Sequence, residues 1–494
     1  MEKRYIIGLD EGTTSCRCVV FDKKANKIVF INKKRFKQYF PKPGWVEHNA
    51  NEIWNDIQSL LNEAIDTLKL TDKNTYGIGI TNQRESVVAW DKRTGKAICR
   101  SIVWQCRRTA NFCDSIPKRQ RGIIQKKTGL IVDAYFSASK MKWMLENEPE
   151  CKKLLAEDNL CIGTIDSFLV YNLTNGKSFI TDTTNVCRTM LFNINTLQYD
   201  EWLLNFFNIP KQILPKVVNN NDCVGSYKYN DNEFKICGII GDQQSSLFGQ
   251  ACFSQGMAKC TYGTGCFILS NTGENRINSK KMLSTIAWTL SGRTTYAMEG
   301  SVFNAGSAVD WIVDDLQLAK TPKEVDNLAV QLKNNEGVYF VPAFTGIGAP
   351  YWNQYCTGLI TGLTRGSDKR HIARAVLESM AYNINDIANY MHNHGVKVRE
   401  LRVDGGVSKS DFLMQFQSNI LNAPIILPES NEATVLGCIY MAGLGLGAYK
   451  NLDEIKNSVK YTKTYSPNIS AIERKILCLG WQKAMQKCLL KEEE

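Results

Sequence analysis

One short grammar occurs twice in this chain, far apart: an apolar β-run, a turn of small and hydroxylated residues, and a second β-run. The first copy is YIIGLDEGTTSCRCVVFD (Tyr5–Asp22) and the second is MAKCTYGTGCFILSN (Met257–Asn271). Val19, Val20 and Phe21 are β-formers that extend the first copy into a hairpin. NKIVFINKKRF (Asn26–Phe36) reads as its third strand. An amphipathic helix follows, with Ile53, Ile57, Leu60, Leu61, Ala64 and Leu68 at helical spacing, then a buried strand in YGIGITNQRE (Tyr76–Glu85). After the second copy come two more strands, MLSTIAWTL and RTTYAMEGSV, and a helix through Ala308, Ile312 and Leu316. LRVDGGVSKSDFLMQFQSNIL then reads as strand, Gly turn and helix, with Ser408 and Asp411 as a capping box. Strands interleaved with helices give a mixed α/β class. A repeated syntax with no Pro- or Ser-rich linker predicts two related lobes, meeting near residue 250 and packed around a cleft.

At 494 residues the chain is long enough for two large cores. The net charge of +11 raises the question of nucleic acid, but Lys and Arg are scattered. The densest run, PKRQRGIIQKK, lacks an aromatic platform for stacked bases, so a solvated basic face that attracts anionic small molecules is the better reading. The 17 cysteines include no CxxC pair and only 4 histidines accompany them, so zinc-site spacing is missing. MEKRYIIGLDEG has too short an apolar run to be a secretory leader, which predicts reduced thiols in a cytoplasmic setting. Ala433–Tyr449 is apolar but Gly-rich and shorter than the roughly 20 residues of a membrane span, so a closely packed interior helix is expected.

Three Gly-rich turns end strands: Gly12-Thr13-Thr14-Ser15, Gly263-Thr264-Gly265 and Asp404-Gly405-Gly406. Small residues let backbone N–H groups approach a phosphate, and hydroxyls add donors. Any one of them alone is a weak sign, and the first by itself reads better as a polar hairpin tip; the three together, with an acid before the first, favour a nucleotide. Asp10 closes an apolar strand, where a carboxylate needs a metal, donors or water; a nucleotide-borne Mg2+ and a local turn-stabilising role are both open. Asp242, after the apolar run in GIIGDQQSS, suits either a proton acceptor for a substrate hydroxyl or a helix cap. Arg84 and Glu85 set a donor beside an acceptor, which fits a polyhydroxylated ligand or an exposed ion pair. Trp104 and Phe267 read as core on general grounds.

The motifs LDEGTTSCR, GWVEHNANEIW, GITNQRES, DAYFSASKMKWML, GDQQSSLFGQ, TYGTGCF and VDGGVSKSDFLMQFQS, in this order, resemble the FGGY carbohydrate kinases, most nearly their glycerol-phosphorylating branch. Tyr135–Met144 resembles the first family signature and Gly358–Glu378 the second, and the similarity runs from Tyr5 to about Tyr449. The resemblance implies two actin-like (ribonuclease H-like) α/β domains, each a mixed sheet flanked by helices. Residues 1–250 would form the glycerol and phosphate side and 251–494 the nucleotide side, with an interdomain cleft.

It also implies γ-phosphoryl transfer from ATP to glycerol with Mg2+, giving sn-glycerol 3-phosphate, in a cytoplasmic homo-oligomer, a dimer or tetramer, with no nucleic-acid or membrane partner. Arg84, Glu85, Tyr135, Asp242 and Gln243 would then bind glycerol hydroxyls, and Trp104 and Phe267 its carbons. Asp242 would be the general base, and Asp10 with Asp242 would hold the metal. Thr13, Thr14, Ser15 and Arg17 would contact phosphates, while Thr264, Gly306, Asp310, Gly406 and Ser410 would complete the nucleotide site. Asp310 and Ser410 stand where Gln and Asn are common in the family. A kinase for another polyol or a ketose, or a non-catalytic actin-like nucleotide-binding regulator, are the alternatives.

Overall fold

The computed structural model describes residues 2–353 and 355–490. In chain order the elements that position the site begin with β1 (Tyr5–Glu11), β2 (Ser15–Asp22), β3 (Lys27–Arg35), α1 (Ala50–Leu68) and β4 (Thr75–Asn82). They continue with β5 (Cys223–Tyr229), β6 (Asn232–Gly241) and α2 (Asp242–Gly249). The second half supplies β7 (Met257–Tyr262), β8 (Cys266–Gly273), β9 (Leu283–Leu290), β10 (Arg293–Val302) and α3 (Lys369–Asn393). It closes with β11 (Glu400–Asp404), α4 (Asp411–Leu421), β12 (Ile425–Pro428), α5 (Ala433–Gly445) and β13 (Tyr461–Tyr465).

Two large mixed sheets result. The first has strand order β5-β6-β4-β1-β2-β3 and the second β9-β10-β8-β7-β11-β12-β13. Each is centred on one of the two hairpins. In the first, Asp10 pairs with Arg17 and the Gly12 N–H donates to the Ser15 carbonyl at 3.0 Å; in the second, the Gly263 N–H donates to the Gly265 carbonyl at 2.9 Å. β1 runs parallel to β4, and β7 parallel to β11, through long crossovers that parallel pairing requires. The strand–turn–strand readings at both copies, the third strand and the helix carrying Ile53 are all present.

Both faces of β1 are covered, which is why it reads as an unbroken apolar run rather than an alternating one. α1 seals one face with Ile53, Ile57, Leu60, Leu61 and Ala64. α5, from far down the chain, seals the other so closely that a Cβ on Gly8 would stand 2.7 Å from Val435 and one on Gly79 would stand 2.3 Å from the Cys438 carbonyl. α5 also crosses α2 at a contact where a Cβ on Gly437 would meet the Ser245 carbonyl at 1.9 Å. The apolar Ala433–Tyr449 segment is therefore the expected interior helix, and it binds one half of the chain to the other. Ile6, Ile240, Leu247, Leu269, Trp288 and Ile439 share a single core across that junction. No helix among the described residues is long and apolar enough to cross a membrane.

Two local readings are corrected. The cap of α4 is Ser410, whose hydroxyl accepts from the Leu413 N–H at 3.0 Å, while Ser408 donates to the Gly405 carbonyl at 2.7 Å. The Gly406–Lys409 turn is a tight 3-10 helix that uses up Ser408 and delays the α-helix to Asp411. The helix expected through Ala308, Ile312 and Leu316 is α-helical only over Gly306–Asp310 and widens into a π-turn over Trp311–Asp315. There the Trp311 ring lies flat on Phe340, with centroids 5.5 Å apart.

Candidate active site

Between the two hairpin turns lies a cavity of about 860 Å³. The first half contributes Thr13, Thr14, Arg84, Glu85, Trp104, Tyr135, Asp242 and Gln243 to its wall, and the second contributes Gly263, Thr264, Gly265 and Phe267. The two copies of the grammar face each other across this space.

The Arg84–Glu85 corner is set by backbone before side chains matter. The Gln83 N–H donates to the Glu11 carbonyl at 2.7 Å, and its side-chain amide donates to the Glu11 carboxylate at 2.6 Å. The Ser86 N–H donates back to the Arg84 carbonyl at 2.8 Å, with Glu85 between them at φ +65°. That is a γ-turn in the left-handed region, strained for a residue with a Cβ and of the kind found where a side chain must be aimed. Arg84 is buried, with Nε 3.3 Å from Asp242 and 3.7 Å from Glu85. Burial pushes the Glu85 carboxyl up despite Arg84 and Arg188 beside it.

Asp242 is the first residue of α2 rather than its cap, a place held by Gly241; its Oδ1 accepts from the Gln243 N–H at 2.6 Å. Its side chain keeps 27% exposure to the cavity. Gln243 is turned by a buried lysine, Lys259, which donates to its side-chain carbonyl and to the Thr261 hydroxyl. Trp104 packs edge-on to Tyr135 at 5.5 Å and donates its indole N–H to Thr13.

Asp10 sits just behind the wall, 7% exposed. Its carboxylate accepts no hydrogen bond from the described residues. Burial pushes it up to about 7, with Arg17 pulling down and Asp242 and Glu432 pushing up. A buried carboxylate with free lone pairs beside a second carboxylate fits a divalent cation that brings its own water and phosphate ligands, as Mg2+ does. Among the described residues no group of three or more His, Cys, Asp or Glu side chains is gathered at metal-binding distance.

The remaining expected residues lie at or beyond the rim. The Ser15 carbonyl closes the first turn. Arg17 is paired with Glu432 of the α5 cap at 2.7 Å, a bridge between the halves. Gly306 packs on the second turn, where an added Cβ would stand 2.6 Å from the Gly263 carbonyl. Gly406 starts the 3-10 turn beside it. Ser410 is engaged as a cap and donates to Asp326, and Asp310 is exposed; neither lines the cavity.

Lys259, Arg188 and Glu299, which bond the cavity residues Gln243, Arg84 and Glu85, carry no signal in the sequence. Each lies in or beside a strand or helix whose apolar neighbours read as plain core, and Glu299 meets Arg84 across a separation of 215 residues.

Residues 5–249 match the N-terminal domain, and residues 258–446 the C-terminal domain, of the FGGY family of carbohydrate kinases. The chain belongs to that family. Among FGGY kinases it is similar over its whole length to the glycerol kinase of Clostridium botulinum strain Hall, with 47% identity covering 100% of both chains. The crystal structure of Plasmodium falciparum glycerol kinase with ADP superposes with a TM-score of 0.94 at 37% identity, covering 99% of each chain. The ligand-bound xylulose kinase of Lactobacillus acidophilus follows at 0.88 and 25% identity, over 98% of this chain and 97% of that one.

Proposed function

We propose that this FGGY kinase transfers the γ-phosphoryl group of ATP to glycerol, giving sn-glycerol 3-phosphate for glycerol breakdown and glycerolipid precursor supply. The observation that carries the reading is the Arg84–Glu85 corner beside Asp242, in a cavity walled by Trp104 and Phe267. Adjacent hydroxyls need donors and acceptors side by side, and a three-carbon backbone needs an apolar wall. The glycerol kinases among its relatives support the same substrate.

In this reading Arg84, Glu85, Tyr135 and Gln243 hold the hydroxyls, and Asp242 accepts the proton of the one that attacks. Phosphoryl transfer has a loose transition state, so most of the acceleration comes from alignment and charge placement, with the base secondary. Thr13, Thr14, Ser15 and Thr264 supply donors to the phosphates from the two opposed turns, with Gly306 and Gly406 giving the backbone room to approach. Asp10 and Asp242 would hold Mg2+, which when bound would neutralise phosphate charge. Arg17 gives one Nη1 proton to Glu432 and keeps further N–H donors for phosphate, while Ser410 and Asp310 stand outside the cavity wall.

We read the chain as two domains, 1–250 and 251–494, which close over the substrates and exclude water from ATP. The 17 cysteines are all unpaired thiols, which suits a cytoplasmic enzyme; we read it as a homo-oligomer. Comparing kcat/KM for glycerol, dihydroxyacetone and xylulose tests the substrate. Glycerol is expected to lead, and a preference for xylulose would replace this reading with a ketose kinase.

A further inference from the structure

Four charged side chains meet behind the glycerol-side wall. Arg84 and Glu85 line the cavity, whereas Arg188 and Glu299 do not. Arg188 follows a short helix of the first half (Thr183–Val186), and Glu299 stands on β10 of the second. Each side chain is 2% exposed or less. Glu299 accepts from Arg84 Nη1 at 2.8 Å and Nη2 at 3.1 Å, and from Arg188 Nη2 at 3.1 Å. Arg188 Nε in turn donates to Glu85 Oε1 at 2.6 Å. Two guanidiniums and two carboxylates balance, which is the condition for keeping charge away from water. Burial alone would raise the Glu299 carboxyl, but Arg188 and Arg84 outweigh it and hold the group at about 2.

The hydrogen-bond inventory shows what this frame leaves free. A guanidinium has five N–H donors in a fixed plane. Arg84 gives both Nη1 protons to Glu299 and to Gln244 Oε1, the latter at 3.1 Å, and one Nη2 proton to Glu299. Its Nε–H, on a nitrogen 3.3 Å from Asp242 but in no hydrogen bond, and one Nη2 proton remain. On Glu85, Oε1 is held by Arg188, and Oε2 accepts nothing from the described residues.

We propose that Glu299 and Arg188 are positioning residues for substrate recognition. Glu299 locks the plane of Arg84 and Arg188 locks the carboxylate of Glu85, so that one donor edge and one acceptor oxygen are presented to the polyol at a fixed separation. Glu299 comes from the opposite half of the chain, so the polyol site is complete only when the two halves are docked as they are here. This rests on the proposed glycerol kinase reading.

Steady-state kinetics of wild type, Glu299→Gln and Arg188→Lys, with each substrate varied in turn, test it. Glu299→Gln keeps shape and removes the charge that holds the Arg84 fork, leaving Arg84 to turn toward Asp242. Arg188→Lys keeps the charge and loses the fork. Both are expected to raise the glycerol KM about tenfold or more, since small misplacements of a positioned group have effects of that order, with the ATP KM within about twofold. A purely structural role would move both constants together or reduce only the active fraction. An unmoved glycerol KM, or a parallel rise in both, overturns the inference, and Arg188→Lys decides it alone if Glu299→Gln does not fold. A wild type inactive on glycerol contradicts the parent reading instead; an active wild type with unmoved variants contradicts only the positioning roles.

Discussion

The Trp104 indole donates to the Thr13 hydroxyl at 3.1 Å, tying the aromatic wall of the cavity to the first Gly-rich turn. One neutral hydrogen bond contributes about 1 kcal/mol, or roughly a fivefold change in an equilibrium. Trp104→Phe keeps the ring and loses the donor; Thr13→Val keeps the shape and loses the acceptor. Each is expected to raise the glycerol KM about fivefold, and the double variant to do no more than either alone. Isothermal titration and initial rates around that cycle measure the coupling; strictly additive effects would show that the bond carries no communication.

Asp242 keeps part of its side chain in the cavity and makes its closest ion pair with Arg84, so replacing it does not open the core. Asp242→Asn is expected to lower kcat by about 10²–10⁴, the range for a lost proton acceptor, with the thermal transition nearly unchanged. Turnover within tenfold of wild type would remove Asp242 from the proton path.

Asp10 makes a pH prediction for the metal-free protein. Its carboxyl is pushed from the ordinary value of 3.8 up to about 7, so the folded state binds a proton more tightly than the unfolded one. The stabilisation this gives is fully present below about pH 4 and is lost as pH rises through 7. Asp10→Asn should therefore melt close to wild type at pH 4–5 and several degrees above it at pH 8 in chelator, and should lack the rise in Mg2+–nucleotide affinity expected of wild type between pH 6 and 8. Melting below wild type at pH 8 would mean that Asp10 is already compensated by protein partners.

Much of this was legible in the residues, for reasons that are local. Hairpins announce themselves through β-formers around a small-residue turn, and a carboxylate such as Asp10 at the end of an apolar strand marks a place where something must neutralise it. Ordered motifs then located Arg84, Glu85, Tyr135 and Asp242, all of which line one cavity. What stayed hidden was non-local. Glu299 sits in an unremarkable strand, and only the tertiary fold brings it to Arg84. The resemblance sets Ser410 where an Asn is common in the family's nucleotide site, while the tertiary fold gives its hydroxyl a second task, capping α4. The Ser408 capping box is displaced because a 3-10 turn over Gly406–Lys409 comes first and the α-helix begins only at Asp411.

Gly306 supports the second turn from behind, with space for no Cβ because the Gly263 carbonyl would lie 2.6 Å away. Gly306→Ala must displace that turn, and overpacking of this sort costs about 1–3 kcal/mol. The ATP KM is expected to rise tenfold or more with glycerol affinity unchanged. An effect on glycerol instead would show that the second turn does not serve the nucleotide.

In the proposed reaction ATP is split only as glycerol is phosphorylated. The direct measurement is ADP release by purified wild-type protein with Mg2+–ATP, with and without glycerol, alongside the amount of glycerol phosphate formed. ADP release is expected to depend on glycerol and to match the sn-glycerol 3-phosphate produced one for one. ADP release indifferent to glycerol, or none with folded protein and saturating substrates, would contradict it.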